Sequence, residues 1–234
     1  SATGQLWGNP LYDWERMEQD GFAWWQRRMA CSAQIYDVVR IDHFIGIGRY
    51  YAIPYGDATA ENGIWRQGPG QKLIDAIQAV MGDSKIIAED LGCLVPEVEA
   101  LRDNAGYPGM KILEFAFDSG SGNPNLPCHY TANCVVYGGT HDNETLVGFF
   151  AHQTRQVIHF ACDYLHTRKR KKLPAACIRA AYASVADTAV IQMQDWLGLG
   201  NEARINFPST IGGNWRWRLL PGQLTEALSA RMRD

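Results

Sequence analysis

The sequence has no CxxC pair, no apolar run of the ~18 residues that a membrane span needs, no excess of one charge, no internal repeat and no Met at its start. Each absence narrows the reading. Cys31, Cys93, Cys128, Cys134, Cys162 and Cys177 are scattered. They read as reduced structural thiols, Cys134 in a strand and Cys31 and Cys177 in helices, as in a cytoplasmic protein. With no signal peptide and no long apolar segment, neither export nor a membrane partner is expected. A net charge of -3 gives no general pull toward nucleic acid. No stretch has linker composition, and the opening Ser1-Ala2 is compatible with a cut inside a longer protein.

What is present is an ordinary globular composition with generous aromatics. The 234 residues are 46% hydrophobic, enough for one large domain or two small ones, and 11% aromatic, with eight Trp and ten Tyr. Aromatic faces suit sugar rings, although most such residues serve a core. Periodicity places an amphipathic helix over 15–36 (Phe22, Trp25, Met29 and Tyr36 on one face), a long Gly/Pro/Tyr-rich loop over 45–69, and a helix over 70–80 with Leu73, Ile74, Ile77 and Val80 as its stripe. Pro96 opens a helix that Gly106 closes. A strand is expected over 110–117, a connection over 118–133, and helices in two or three pieces over 144–187, broken near Lys172-Leu173-Pro174. A last strand over 189–193, a loop over 194–222 and a terminal helix over 223–233 complete the chain. The alternation of strands and helices predicts an α/β fold with a parallel sheet.

Three apolar runs end in carboxylates. Val38-Val39-Arg40-Ile41 leads into Asp42, Lys85-Ile86-Ile87-Ala88 into Glu89, and Cys134-Val135-Val136-Tyr137 leads through Gly138-Gly139-Thr140-His141 to Asp142. Runs of this kind are how buried parallel strands end at a site, so the three acids are expected together at one end of one sheet. Glycoside chemistry needs a nucleophilic carboxylate and a proton-donating one. Arg40, two residues before Asp42, shares its strand face and would keep that carboxylate oriented and ionised.

These residues carry a resemblance. Arg40-Ile41-Asp42-His43-Phe44, Ile87-Ala88-Glu89-Asp90-Leu91-Gly92 and Gly139-Thr140-His141-Asp142-Asn143 resemble the catalytic motifs of the α-amylase clan. Flanking motifs narrow this to the 4-α-glucanotransferases (amylomaltases, glycoside hydrolase family 77). They are Gly4–Tyr12 (GQLWGNPLY), Gly68-Pro69-Gly70, Pro108–Lys111 (PGMK), Arg204–Pro208 (RINFP) and Asn214–Arg218 (NWRWR). The resemblance implies Asp42 as nucleophile, Glu89 as general acid/base and Asp142 as transition-state stabiliser. Arg40, His43, His141 and Asn143 would support the site, Trp7 would stack on a sugar, and Asn206 and Pro208 would line subsites. No metal or cofactor is implied. The substrates would be α-1,4-glucans such as maltooligosaccharides, starch or glycogen.

The resemblance also implies a (β/α)8 barrel in which the nucleophile ends the fourth strand. Only five strand candidates can be found, so residues 1–234 are expected to be the C-terminal five strands of such a barrel, with no second domain. Such a piece would self-associate, exchange strands or depend on the missing N-terminal half, and would have little or no activity alone. A non-catalytic glucan-binding fragment and an α-amylase-like hydrolase are the rival readings. Three positions depart from the family pattern: Ile45 stands where arginine is usual, Glu114 where glutamine is common, and Ser209 where glycine is usual. Ile45 is expected to alter loop order near the nucleophile. The basic run Arg168–Lys172 reads as a solvated helix end, and His152, His159 and His166 as a helix surface.

Overall fold

The computed structural model describes residues 2–92 and 95–233, so Cys93 lies outside the described residues. The fold is α/β with parallel strand pairs. The chain divides into two compact units, residues 1–110 and 111–234.

In the first unit, strand β1 (Val38–Ile41) is the one that leads to Asp42. It is preceded by helices α1 (Trp14–Gln19) and α2 (Ala23–Ala33), where the sequence predicts one helix. The break has a local cause. Gly21 and Phe22 both adopt positive φ, 67° and 58°, and the Phe22 amide closes back onto the Met17 carbonyl at 2.6 Å. Phe22 is buried to 3% exposure, so core packing offsets its left-handed backbone. Phe22 is the N-cap of α2 and makes no side-chain cap bond, while Asp20 accepts from the Ala23 amide at 3.1 Å. Tyr36 falls beyond α2 and is exposed.

The predicted loop over 45–69 holds structure instead. A short helix α3 (Ile45–Gly48) runs straight into β2 (Arg49–Ala52), which pairs antiparallel with β3 (Ile64–Gln67). Trp65 is covered by the Arg49 guanidinium, 4.1 Å from the ring centre, and meets the Tyr51 ring edge-on. Short four-residue elements rich in Gly and Tyr carry too little periodicity to be recognised. Ile45 does not loosen this region: it is 3% exposed and begins an ordered helical turn. Helix α4 (Gln71–Met81) follows, with Leu73, Ile74, Ile77 and Met81 buried and Val80 only half-buried. It packs against α2. β4 (Lys85–Ala88) pairs in parallel with β1, Val38 against Lys85 through Ile41 against Ala88. Helix α5 (Pro96–Asn104) places proline in its first turn, and its Val98 joins Ile41, Phe44, Ile47, Leu73, Ile77 and Ile86 in one core.

β5 (Gly109–Ile112), β6 (Cys134–Tyr137) and β7 (Thr188–Val190) form a separate three-stranded sheet in that order. Among the described residues β1 pairs with β4 and β6 pairs with β7, where the sequence predicts the three acid-bearing strands in one sheet. At the start of β5, Pro108 has no amide to give, and the Met110 amide donates to the Asp90 carboxylate at 2.8 Å. The Ala88 amide at the end of β4 donates to Pro108 O at 3.0 Å. β5 is also shorter than predicted, turning at Leu113–Phe115 into a 3₁₀ turn.

In the second unit, β6 is buried along Cys134, Val135 and Val136, as befits a strand in a parallel pair. Helices α6 (Leu146–His152), α7 (Arg155–Tyr164) and α8 (Leu173–Tyr182) pack around it. Thr145 and Thr154 cap α6 and α7 through their side chains. The basic run forms a 3₁₀ turn at Arg170–Lys172 ahead of α8, and Arg170 donates to the Phe150 carbonyl at 2.6 Å. The last strand ends at Val190, earlier than predicted, because Met193 starts helix α9 (Met193–Leu197). α10 (Glu226–Arg233) closes the described chain. Among the described residues Cys31 and Cys128 are exposed free thiols, while Cys134 and Cys177 are buried.

Candidate active site

The first unit brings together Arg40, Asp42, His43 and Glu89. Parallel register sets this up. Ile41 is opposite Ala88, so the next residue on each strand is an acid, Asp42 on one and Glu89 on the other. The ladder continues past the strand ends, with the Glu89 amide donating to Ile41 O at 2.9 Å and the Phe44 amide to Glu89 O at 2.8 Å. Residues in register on parallel neighbours point to the same face. Arg40 Nη1 is 2.8 Å from Asp42 Oδ1, and Arg40 Nε donates to the sulfur of Met110 at 3.4 Å. The PGMK motif thus props the arginine that holds the candidate nucleophile. The Asp42 side chain itself is 77% exposed.

Glu89 is held by backbone. The His43 amide donates to Oε2 at 2.7 Å and the Leu91 amide to Oε1 at 2.9 Å. His43 reaches its bond from a φ of 49°, an uncommon conformation for a residue other than glycine. Beneath this turn Gly68 and Gly70 donate to Gly48 O and Ile47 O, each at 2.9 Å. The neighbouring Asp90 is buried at 7% exposure, paired with Arg102 and bonded to Met110 N. Trp7 stands 58% exposed on the extended N-terminal segment, with its flat face available.

The second unit assembles Asp142, His141, Asn143 and Asn206. Strand β6 stops at Tyr137 and leaves Asp142 on the following loop. That loop is shaped by its own side chains: Asn143 Oδ1 accepts from Thr140 N at 2.8 Å and from Thr140 Oγ1 at 2.7 Å. Asn206 Nδ2 donates to Asp142 Oδ1 at 2.6 Å, and His141 Nε2 lies 3.3 Å from Asp142 Oδ2. His141 also packs on Trp215, ring centres 5.2 Å apart. Pro208 is exposed beside Phe207.

Several residues of this arrangement are not legible as site residues in the sequence. Gln192 Nε2 donates to both Gly139 O and Thr140 O at 3.1 Å. Arg204 donates through Nη2 to Asp142 O at 2.7 Å and through Nε to Asn206 O at 2.9 Å, while its guanidinium covers the Phe207 ring. Asp195 fixes the start of α6 by accepting from Leu146 N at 2.7 Å. Only Arg204 carries a signal, as the first residue of RINFP. Burial pushes Asp195 up to about 6, against the pull of the Leu146 amide. It pushes Glu114 up to about 9, reinforced by the charges of Asp195 and Glu144.

Comparison with known proteins decides the family. Residues 1–224 match the family described as 4-alpha-glucanotransferase, glycoside hydrolase 77. The chain belongs to that family. It is 49% identical over 234 residues to a 4-alpha-glucanotransferase of Synechocystis sp., covering 99% of this chain and 46% of that protein. It is 48% identical to one of Thermus thermophilus, covering 100% of this chain and 48% of the relative. The solved amylomaltase of Streptococcus agalactiae in complex with acarbose superposes with a TM-score of 0.92 at 39% identity, over 99% of this chain and 47% of that one. The chain therefore spans about half the length of the 4-alpha-glucanotransferases it matches.

Proposed function

We propose that these residues carry the catalytic carboxylates of a 4-α-glucanotransferase, which cleaves an α-1,4-glucan and passes the released segment to another glucan or to glucose. The observation that carries the reading is the β1–β4 register, which puts Asp42 and Glu89 side by side just past paired strand ends, with Arg40 bonded to Asp42. The sequence of bonds follows. The Asp42 carboxylate attacks the anomeric carbon while the glycosidic C–O bond breaks, and Glu89 gives its proton to the leaving 4-oxygen. A glycosyl ester on Asp42 results. Glu89, now a carboxylate, takes the proton of an acceptor 4-hydroxyl as that oxygen displaces Asp42, and the configuration is retained. Asp142 supports the positive charge that develops at the anomeric carbon, and Trp7 stacks on a sugar ring.

In this reading residues 1–234 form the C-terminal five strands of a (β/α)8 barrel, with Asp42 ending its fourth strand and no second domain. Supporting this are the half-length match to the relatives and the exposed residues of β1 and β7, Val38 and Val190. Such a piece has open strand edges, which favour self-association. Among the described residues no helix is long and apolar enough to cross a membrane. We place the protein in the cytoplasm, whereas the relative from Arabidopsis thaliana is named chloroplastic/amyloplastic.

The test is an assay on maltotriose, with the chain alone and with the chain joined behind the N-terminal half of the Thermus thermophilus relative. The joined enzyme should redistribute maltotriose into longer and shorter glucans with little net hydrolysis, and the chain alone should be nearly silent. Asp42→Asn in the joined enzyme should lower transfer by orders of magnitude while glucan binding persists. Near-normal transfer by Asp42→Asn would show the nucleophile to be misplaced. Release of glucose without chain redistribution would favour a hydrolase.

A further inference from the structure

Behind the Asp142 loop lies a group of buried oxygens that the catalytic reading does not use. Glu114 Oε1, Asp195 Oδ2 and Asn201 Oδ1 are all buried without a hydrogen-bond partner, and Glu114 and Asp195 are only 6% and 3% exposed. Asn201 faces Gly148 in α6, while Glu114 and Asp195, from different elements, press on one strand end. Glu114 donates its backbone amide to Gly138 O at 3.1 Å. Its Oε1 is so close to Gly139 that a Cβ there would sit 2.7 Å away, and Asp195 Oδ2 would be 3.4 Å from a Cβ on Gly138. Gly138 and Gly139 open the loop that presents Asp142.

The charges facing Glu114 are unbalanced. Asp195 on α9 and the Glu144 side chain ahead of α6 repel a carboxylate there, while the Arg204 charge and a hydrogen bond from the Glu144 backbone favour it. The Cys177 thiol on α8, held neutral by burial, also faces this group. Glu144 is itself engaged by Asn201 and by His152. Arg204 is the element shared with the site, since its other contacts are Asp142 O, Asn206 O and the Phe207 ring. A neutral Glu114 makes no claim on that guanidinium. An ionised Glu114, buried and without another cation, competes for it.

We propose that Glu114 is a positioning residue for Asp142: it serves as an uncharged carboxylic acid, and ionising it draws Arg204 away from the Asp142–Asn206 pair and loosens the loop 138–143. Its bearing on turnover rests on the role proposed for Asp142, but the device itself is a property of the fold. The direction of the linkage is fixed. A carboxyl raised to about 9 in the folded protein, against 4.5 as its ordinary value, binds more protons folded than unfolded across that window. Its contribution to stability therefore falls as pH rises through the window.

Glu114→Gln keeps the shape of the neutral acid and cannot ionise. Thermal unfolding of the wild-type chain and Glu114→Gln should be compared from pH 5 to pH 9.5, with hydrogen exchange of the peptide spanning 138–145 followed on the same samples. The Tm of Glu114→Gln relative to wild type should rise steadily with pH. Protection of the Thr140 and Asn143 amides, corrected for intrinsic exchange, should fall above about pH 9 in wild type only. Arg204→Met should remove the loop response while leaving Glu114's effect on Tm. A Tm difference that is flat with pH would overturn the neutral acid. Equal loop protection in wild type and Glu114→Gln at every pH would overturn the positioning role. Neither readout involves glucan transfer, so a failure of the catalytic reading would show separately in the maltotriose assay.

Discussion

Removing Asp90 should test how the strand that carries the candidate acid/base is fastened to its surroundings. Asp90 directly follows Glu89. Its side chain is 6% exposed, with Oδ1 accepting from Met110 N at 2.8 Å and Oδ2 paired with Arg102. Burial works against the Arg102 charge, and hydrogen bonds to Asp103 and Asp90 outweigh it, leaving the guanidinium with a raised pKa. Breaking one partner out of a buried pair costs about 3–5 kcal/mol, because the other charge is left behind. Arg102 keeps Asp103, whose 62% exposure makes it a weaker substitute, so the estimate for Asp90→Ala falls at the lower end, about 3 kcal/mol. Asp90→Asn retains an acceptor for Met110 and should lose less, about 1.5–2 kcal/mol. Arg102→Met combined with Asp90→Asn should cost less than the sum of the single changes by at least about 1 kcal/mol. The measurement is urea unfolding followed by tryptophan fluorescence, with hydrogen exchange over residues 1–110 to assign the loss to that unit. A cost below about 1 kcal/mol for Asp90→Ala, or strictly additive single changes, would refute the coupling.

Ser209 holds a φ of 64°, where a left-handed backbone costs about 1–2 kcal/mol outside glycine. Allowing for the greater chain entropy glycine loses on folding, Ser209→Gly should stabilise by about 0.5–1 kcal/mol, visible as a higher Tm. Sedimentation of the chain alone should show concentration-dependent association, and a strict monomer at all concentrations would remove the open-edge argument.

The sequence makes the candidate acids legible because each follows a short apolar run, and it makes α4 and α5 legible because Leu73, Ile74 and Ile77 and the Pro96/Gly106 pair obey simple periodic and capping rules. It hides features that depend on partners remote in sequence. The α1–α2 break lies at Asp20-Gly21, a turn signal masked by the apolar helical period around it, and continues through Phe22, held left-handed by its burial. The β2–β3 hairpin is formed by two four-residue strands separated by eleven residues, 53–63, too far apart for a turn motif to announce them. Gln192, Asp195 and Arg204 act on the Asp142 loop and the start of α6 across 49 to 62 positions of chain. A glutamine beside a short strand reads as any other surface glutamine until its partners are known.

The bond from the His43 amide to Glu89 is made by a peptide group, not by a side chain. It ties the turn after the candidate nucleophile to the candidate acid/base, and it needs of residue 43 only an N–H and tolerance of a φ of 49°. Substitutions that tolerate the left-handed backbone, glycine or asparagine among them, leave this tie in place, and only proline, which lacks an N–H, removes the donor outright. The alignment of the two acids is thus protected from those mutations at position 43 that keep the left-handed turn. A one-residue slip of β1 against β4, by contrast, would move that amide out of reach and turn Asp42 to the opposite face in the same step. Bond and register stand or fall together, so a chain that misregisters these strands loses both acids as a pair and cannot persist as a half-working site.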